Sequence, residues 1–418
     1  MVSTFRNSAV ALTFSLCLTA SPLSVWAETV VSERQALQAA LDTHPSVDAA
    51  RAALKAVEGE ARDADAWFPE NPTVRVDKTT DRWQRNVGNG GYSVELAVPL
   101  WIAGQRSLRQ ELAAEKGRGA EAEIAMARWA LSGATRESYW KAWLAGALVN
   151  VAQDRIDRSR ALVEAARRLK SSQQIRALDA RQMEAEASID KEAAAERRAE
   201  HLVSLAALRE LTGLPLVGSI ALAPPEVEAP PTAISAKNTD ARPDIEAAAR
   251  QVRIARANLK VQDRDAWPVI TPSISYRRDR STFDEPEDRT VTFGLTVPLP
   301  IARTNQAGIG QAGAELVRAE AELRRVSLQA QREVEQAHAN WQGAWDRWQQ
   351  TKETLQLVEQ NVASLERGFA SGEVGALELL QERRRWVEAR EAERSSLAAL
   401  AMARSAWQHA QGVIGEVQ

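Results

Sequence analysis

The chain carries one pattern of motifs twice, with the copies about 200 residues apart. Each copy has a helical segment, then two short segments in which apolar and polar residues alternate, then a very long stretch without proline. A pattern that recurs in the same order indicates one structural unit used twice. The motifs that recur lie at residues 44–47 and 242–245, 66–69 and 266–268, 71–74 and 271–274, and 98–103 and 297–302.

The long stretches constrain the shape most strongly. Residues 105–167 and 305–367 are rich in Ala, Glu, Arg and Gln and contain no proline, which predicts two helices roughly 90–95 Å long. Helices of globular domains average about 11–12 residues. Shorter helices are expected at about 177–211 and 377–411, and before the strands at about 46–67 and 244–267. Two short helices stacked end to end match one long helix, which predicts a tall wall of helices with strands at one end.

The short segments alternate apolar and polar residues, as strands with two different faces do. Examples are residues 92–98, 270–276 and 291–297. We expect two strands per copy, each of about nine to eleven residues, the length that crosses a bilayer when tilted. A half-buried soluble sheet is the alternative. Four strands cannot close a barrel, so either the sheet packs on helices or several chains share one barrel.

The N-terminal residues predict export. Residues 1–27 combine Arg6, an apolar stretch and a small residue, Ala27, as a secretory signal peptide does. The only cysteine, Cys17, lies in this segment without the small residue that lipidation requires just before it. No later apolar run reaches the ~20 residues of a membrane-spanning helix, so an integral protein would have to cross with strands. The remaining boundaries are expected at 28–213 (first repeat), 214–241 (Pro-rich linker) and 242–418 (second repeat).

The charge pattern excludes several function classes. With 53 basic and 56 acidic residues, the chain has no electrostatic field suited to binding nucleic acid.

The four histidines lie on separate elements without the spacing of helical metal ligands. No catalytic constellation is present, so we expect no enzyme activity, no metal site and no cofactor. The run Arg383-Arg384-Arg385 is interpreted as a solvated helix face, with contact to a tunnel wall or a neighbour as the alternative.

Taken together, these features resemble the TolC-like outer membrane factors, or outer membrane efflux proteins, over essentially the whole mature chain. The Val-Pro-Leu motifs at 98–100 and 297–299 match the place where that family passes from barrel into long helix. Residues 369–380 match its helix-tip motif of an aromatic residue, glycine and an acidic-leucine run. The first-copy version, residues 169–179, lacks the aromatic residue and the glycine.

The resemblance implies a mainly α fold with a small β part, internally duplicated, in a homotrimer. Three chains of four strands would form one 12-stranded transmembrane β-barrel without open edges. Their long helices would form an α-barrel tunnel in the periplasm. Outer-membrane lipid would surround the barrel.

The resemblance also implies roles for residues at the helix tips. Glu378, and by the repeat Asp179, match the position where the family places pore-facing acids. In a trimer each would form a carboxylate ring that favours cations, with mutual repulsion raising the pKa of the carboxyls. The alternative is a solvated acid favoured by the helix dipole. Contacts with a periplasmic adaptor (membrane fusion protein) are expected at Gly372, Val374, Leu377, Ser171 and Leu178.

The implied function is passive conduction in a tripartite efflux system, from the periplasm and an inner-membrane pump of the RND type to the exterior. The short, charged, Ala-rich chain is similar to the heavy-metal branch of the family, so heavy-metal cations are the expected substrate. Two alternatives remain open. A type I protein-secretion channel shares the architecture, and a periplasmic coiled-coil adaptor would have one long hairpin flanked by compact β-domains.

Overall fold

The computed structural model describes residues 30–84, 86–216, 221–232, 241–267, 269–299 and 305–415. The predicted signal peptide, parts of the predicted linker, and the end of the recurring motif at 297–302 lie outside these residues. The described parts form the same order twice, helix–strand–strand–long helix–helix, after a first short helix. The predicted duplication is therefore confirmed in the fold.

The elements have the following bounds. The first half contains α1 (Glu33–Thr43), α2 (Pro45–Ala64), β1 (Thr73–Thr80), β2 (Gly90–Ala97), α3 (Gln105–Ser171) and α4 (Ala177–Thr212). The second half contains α5 (Pro243–Arg264), β3 (Thr271–Arg280), β4 (Asp288–Thr296), α6 (Gln306–Ser371) and α7 (Ala376–Ala410). The long helices have 67 and 66 residues, as the proline-free stretches predict. No described helix combines the length and the apolar character needed to cross a membrane.

The short helices stack end to end in both halves. Thr43, at the end of α1 and next to α2, donates its hydroxyl to the Thr212 carbonyl at the end of α4, at 3.3 Å. Arg242, the residue before α5, donates to the Ala410 carbonyl at the end of α7, at 3.0 Å. The result is a wall four helices wide at both levels. Its order is α2–α3–α5–α6 near the strands and α4–α3–α7–α6 farther away.

The strands form one antiparallel sheet in the order β1-β2-β3-β4. The β2–β3 pair joins the two repeats, and β1 and β4 are the edges. The first two strands have 8 residues each, slightly fewer than expected. The described residues hold one four-stranded sheet and two long helical hairpins, α3–α4 and α6–α7, whereas the adaptor alternative requires one hairpin and several compact β-domains.

The core is a series of apolar clusters along the wall, because a wall one helix thick has no single interior. Tryptophans contribute to it, with Trp140 and Trp341 buried between helices. An extended segment, residues 221–232, crosses the wall. Its Ala221 and Ala223 pair with Val31 at 3.0 Å, and Tyr139 donates its hydroxyl to the Val31 carbonyl at 2.9 Å. At the far end the Pro231 carbonyl contacts His338 at 2.8 Å.

Candidate functional sites on the sheet and at the hairpin tips

The large apolar side chains of the strands lie on one face of the sheet, and that face is exposed. Phe293 is 80% exposed and Val76 is 67% exposed. The alternative of a half-buried soluble sheet does not hold, because such a sheet would cover these side chains. Two rows cross all four strands: Val74, Leu96, Ile274 and Phe293 in one, and Val76, Val94, Tyr276 and Val291 in the next.

The opposite face of the same strands is polar. One row across it consists of Arg75, Glu95, Ser275 and Thr292. An exposed apolar face backed by a polar face is the pattern of a strand with lipid on one side and water on the other. The sheet also has two open edges, at β1 and β4, and unpaired edges invite pairing with another chain.

Exposed aromatic side chains flank the apolar face at both ends. Trp67 and Trp267 lie at the end nearest the helices and are 88% and 58% exposed. Trp83 and Phe283 lie in the loops at the other end and are 87% and 58% exposed. Aromatic residues at both borders of an apolar band are typical of membrane interfaces.

The two hairpin tips lie together at the opposite end of the wall. One apolar cluster joins them, with Leu169 and Met183 from the first hairpin and Phe369 and Leu379 from the second. Residues nearly 200 positions apart in the sequence are therefore held at the same end of the molecule.

The two acids predicted to face a pore occupy equivalent positions but have different surroundings. Asp179 and Glu378 are each the third residue of a helix, α4 and α7. Arg176 donates to both carboxylate oxygens of Asp179, at 2.9 and 3.1 Å, and this hydrogen bonding lowers the pKa of Asp179 within the single chain. Glu378 is exposed and makes no hydrogen bond or ion pair with the described residues. Of these two acids, only Glu378 has no partner among the described residues.

The predicted adaptor-contact residues fall into two groups. Leu178 and Leu377 are the second residues of α4 and α7 and are 57% and 65% exposed, so both side chains are accessible. Gly372 and Ser171 lie at the exposed ends of the long helices. Val374 is half-buried over Gly368, where an added Cβ would come within 2.6 Å of Val374 Cγ2, so it shapes the turn.

Sequence reasoning missed a buried ionic cluster between the hairpins. Asp190 of α4 is 1% exposed and lies 2.5 Å from Arg155 Nε of α3. Ser159 bonds to Asp190 and accepts from Arg383 of α7 at 3.3 Å. We call these four residues, Arg155, Ser159, Asp190 and Arg383, the hairpin cluster.

The interpretation of Arg383 as a solvated residue is therefore wrong, although Arg384 and Arg385 are exposed as expected. Arg383 is 7% exposed, and burial lowers the pKa of its guanidinium. The spacing carries a signal for this. Arg383 follows Leu379 by four positions and precedes Trp386 by three, so it lies on the buried stripe of α7.

The fold is similar to that of several solved outer membrane proteins. The chain is similar to VceC, an outer membrane protein of Vibrio cholerae (TM-score 0.71, 19% identity, 91% of this chain and 96% of that one). It is also similar to the transmembrane channel CusC (TM-score 0.76, 18% identity, 98% and 99%). A third likeness is to the outer membrane channel MtrE of Neisseria gonorrhoeae in its open state (TM-score 0.74, 18% identity, 91% and 88%). At these identities the likeness concerns the fold.

The sequence itself matches a family over the second repeat. Residues 237–412 match the model of the family described as outer membrane efflux protein. These residues cover α5, the β3–β4 pair and the whole second hairpin. No curated protein matches the chain.

Proposed function

We propose that this chain is the outer-membrane channel of a tripartite efflux system and works as a homotrimer. The observation that carries the proposal is the exposed apolar sheet face with two open edges, set at one end of helices about 100 Å long. An isolated chain with this surface would aggregate or pair. In three copies that share one barrel, the apolar faces contact lipid and the edge strands pair with those of the neighbouring copies.

The arrangement gives each surface an environment that suits it. In a closed ring the polar face of the sheet lines a water-filled lumen and the apolar face meets lipid. The helical walls continue the lumen as a tunnel into the periplasm. The boundaries that go with this proposal are a signal peptide at 1–27, repeats at 28–213 and 242–418, and a linker at 214–241.

The tips complete the channel on the periplasmic side. Glu378 lines the opening, where three-fold symmetry makes a carboxylate ring that favours cations. Asp179 caps α4 through Arg176 and contributes less. The exposed Leu178 and Leu377, with Gly372, Val374 and Ser171 beside them, dock a periplasmic adaptor joined to an inner-membrane pump. Heavy-metal cations are the substrate class that resemblance to that branch supports.

Membrane fractionation with gel electrophoresis tests the channel and the trimer together. The mature protein should stay in the detergent-resistant outer-membrane fraction and run as a trimer until it is boiled. Purified trimers should then conduct ions across planar lipid bilayers. A soluble periplasmic monomer would contradict the proposal and favour an adaptor.

Substitution of the tip acid tests the gate. Glu378→Gln should lower the cation-to-anion permeability ratio of the trimer in planar bilayers by about two-fold or more, because the ring loses its charge. Glu373→Gln is the matched control, since Glu373 is an exposed acid in the same turn. If Glu378→Gln has no effect on the permeability ratio, or if both substitutions have the same effect, Glu378 does not form the proposed carboxylate ring.

A further inference from the structure

We propose that Lys78 and Arg289 bind the phosphate of an anionic phosphorylated lipid at the border of the apolar sheet face. The inference rests on the proposed function, because it requires that this face contact lipid. It adds a lipid-headgroup site at a defined level of the sheet, on the side of the two strand-connecting loops.

The register places basic residues directly beyond the apolar rows. Lys78, Tyr92, Arg278 and Arg289 form one row across all four strands. The adjacent row toward the helices is Val76, Val94, Tyr276 and Val291. Side chains two residues apart on a strand point to the same face and lie about 7 Å apart. The basic row therefore sits one step past the last apolar row, on the same face.

The apolar band continues below this row toward the helices. Apolar rows continue toward the helices through Leu96 and Val98 to Leu100, which pairs with Ile270. From Val94 to Leu100 is six residues, or about 20 Å along the strand at about 3.4 Å each, and the tilt of membrane strands makes the height along the membrane normal smaller. The basic row thus borders the apolar band on the side of the strand-connecting loops, the side on which lipid headgroups would lie under the proposed function.

Charge is sorted between the two faces at this end of the sheet. The lipid-side face carries Lys78, Arg278, Arg280 and Arg289, with Glu287 as its acid. The opposite face carries Asp77, Asp279 and Asp288 at the matching levels, with Arg277 among them. A sheet that only needed solubility would not require this sorting. Cations placed on the lipid side complement phosphate groups there.

Two of the basic residues are available for a ligand. Arg278 forms an ion pair with Glu287, and Arg280 donates to the Gly88 carbonyl at 3.2 Å. Lys78 and Arg289 are exposed and form no ion pair with other described residues. Both lie on edge strands. When copies close into a ring, β4 of one adjoins β1 of the next, so Arg289 and Lys78 come onto neighbouring strands about 4.8 Å apart.

The occupant we infer is a lipid rather than a free anion. A phosphate between Lys78 and Arg289 receives charge-assisted hydrogen bonds from both. The acyl chains of the same molecule then run along Val76 and Val291, which a free phosphate would leave uncovered. Tyr92 and Tyr276, whose rings lie 6.2 Å apart, stand at this border as interfacial aromatic residues do.

Heat stability of the purified full-length protein in neutral detergent tests the site. The readout is the temperature at which the trimer band disappears from unheated gels. Dioleoyl phosphatidic acid in the micelles should raise it by about 5 °C or more through preferential binding to the assembled state. Phosphatidylcholine with the same acyl chains, and inorganic phosphate at the same concentration, should raise it much less.

Two double variants decide whether the named residues are responsible. Lys78→Gln with Arg289→Gln should remove the gain from phosphatidic acid. Arg75→Gln with Arg277→Gln removes two positive charges from the opposite face of the sheet. This variant should keep the gain in heat stability from phosphatidic acid. An equal gain in both variants, or an equal gain from inorganic phosphate, would overturn the site. Absence of any trimer without added lipid would instead count against the proposed function.

Discussion

At the scale of single residues, His409 is held neutral inside the wall near the end of α7. Its ring stacks on Trp129 with centroids 4.3 Å apart, and Trp129 donates to its carbonyl at 2.9 Å. Arg136, Arg242, Glu333 and Asp244 are the charged groups that face it. Burial, followed by the two arginines, lowers the pKa of His409 to about 4. A protonated ring would be unfavourable in this junction.

This burial predicts a loss of stability in mild acid. In the unfolded chain His409 binds a proton below pH 6.5, whereas in the folded chain it does so only below about pH 4. Its contribution to folding stability is therefore complete above pH 6.5 and is lost as the pH falls from 6.5 to about 4. Between pH 7 and pH 5 the loss should be about 2 kcal/mol per chain. His409→Gln should flatten this dependence in thermal unfolding measured at both pH values. An unchanged pH dependence in the variant would show that other groups cause it.

The hairpin cluster supports a second prediction at this scale. Asp190→Asn leaves the guanidinium groups of Arg155 and Arg383 close together without their buried counter-charge, which should cost about 3 kcal/mol. The measurement is the midpoint of urea unfolding of the purified protein. Glu322→Gln is the control, because Glu322 pairs with Arg325 on an exposed helix face and its loss should leave the midpoint unchanged. Equal shifts would mean that burial of the cluster has little energetic effect.

At the scale of elements, most of the fold could be predicted from the sequence because its signals are local. Proline-free, Ala-rich stretches define α3 and α6, and prolines at 45 and 243 mark the starts of α2 and α5. The spacing of Arg383 between Leu379 and Trp386 indicates a buried position on α7, but its ionic surroundings could not be predicted. They depend on Ser159 and Asp190, which are about 190 to 220 residues away, and no local pattern reports their proximity. The different surroundings of Asp179 and Glu378 depend on one local residue, Arg176.

The two tip turns predict opposite responses to substitution. Gly372 ends α6 in the left-handed conformation, with φ of 81°, and Gln173 adopts φ of 59° in the first copy. A side chain in this conformation costs about 1 kcal/mol, and nothing crowds the space where a Cβ on Gly372 would lie. Gly372→Ala should therefore lower the unfolding temperature, whereas Gln173→Gly should leave it unchanged or raise it. Thermal unfolding of both variants measures this. A decrease for both would show that contacts of the Gln173 side chain outweigh its backbone strain.

At the scale of the whole molecule, the helical wall and the sheet each have two open edges within a single chain. In the proposed trimer, further copies close both. Each repeat supplies two strands and one hairpin, so similar halves of the chain would alternate around the proposed ring. The Pro-rich segment 221–232 crosses the described wall and is anchored at Val31 and at His338, which ties the helices of both repeats together.

The last prediction concerns which face of the closed sheet meets lipid. Phe293→Lys places a charge near the middle of the apolar band, where it should cost about 2–4 kcal/mol per chain in a bilayer. Thr292→Lys places the same charge one residue earlier on β4, on the polar face, where water in the lumen would solvate it. The amount of trimer in the detergent-resistant outer-membrane fraction should fall sharply for Phe293→Lys and stay near the unmodified level for Thr292→Lys. If the two variants insert equally well, the sheet does not separate lipid from water; if Thr292→Lys alone fails, the faces are reversed.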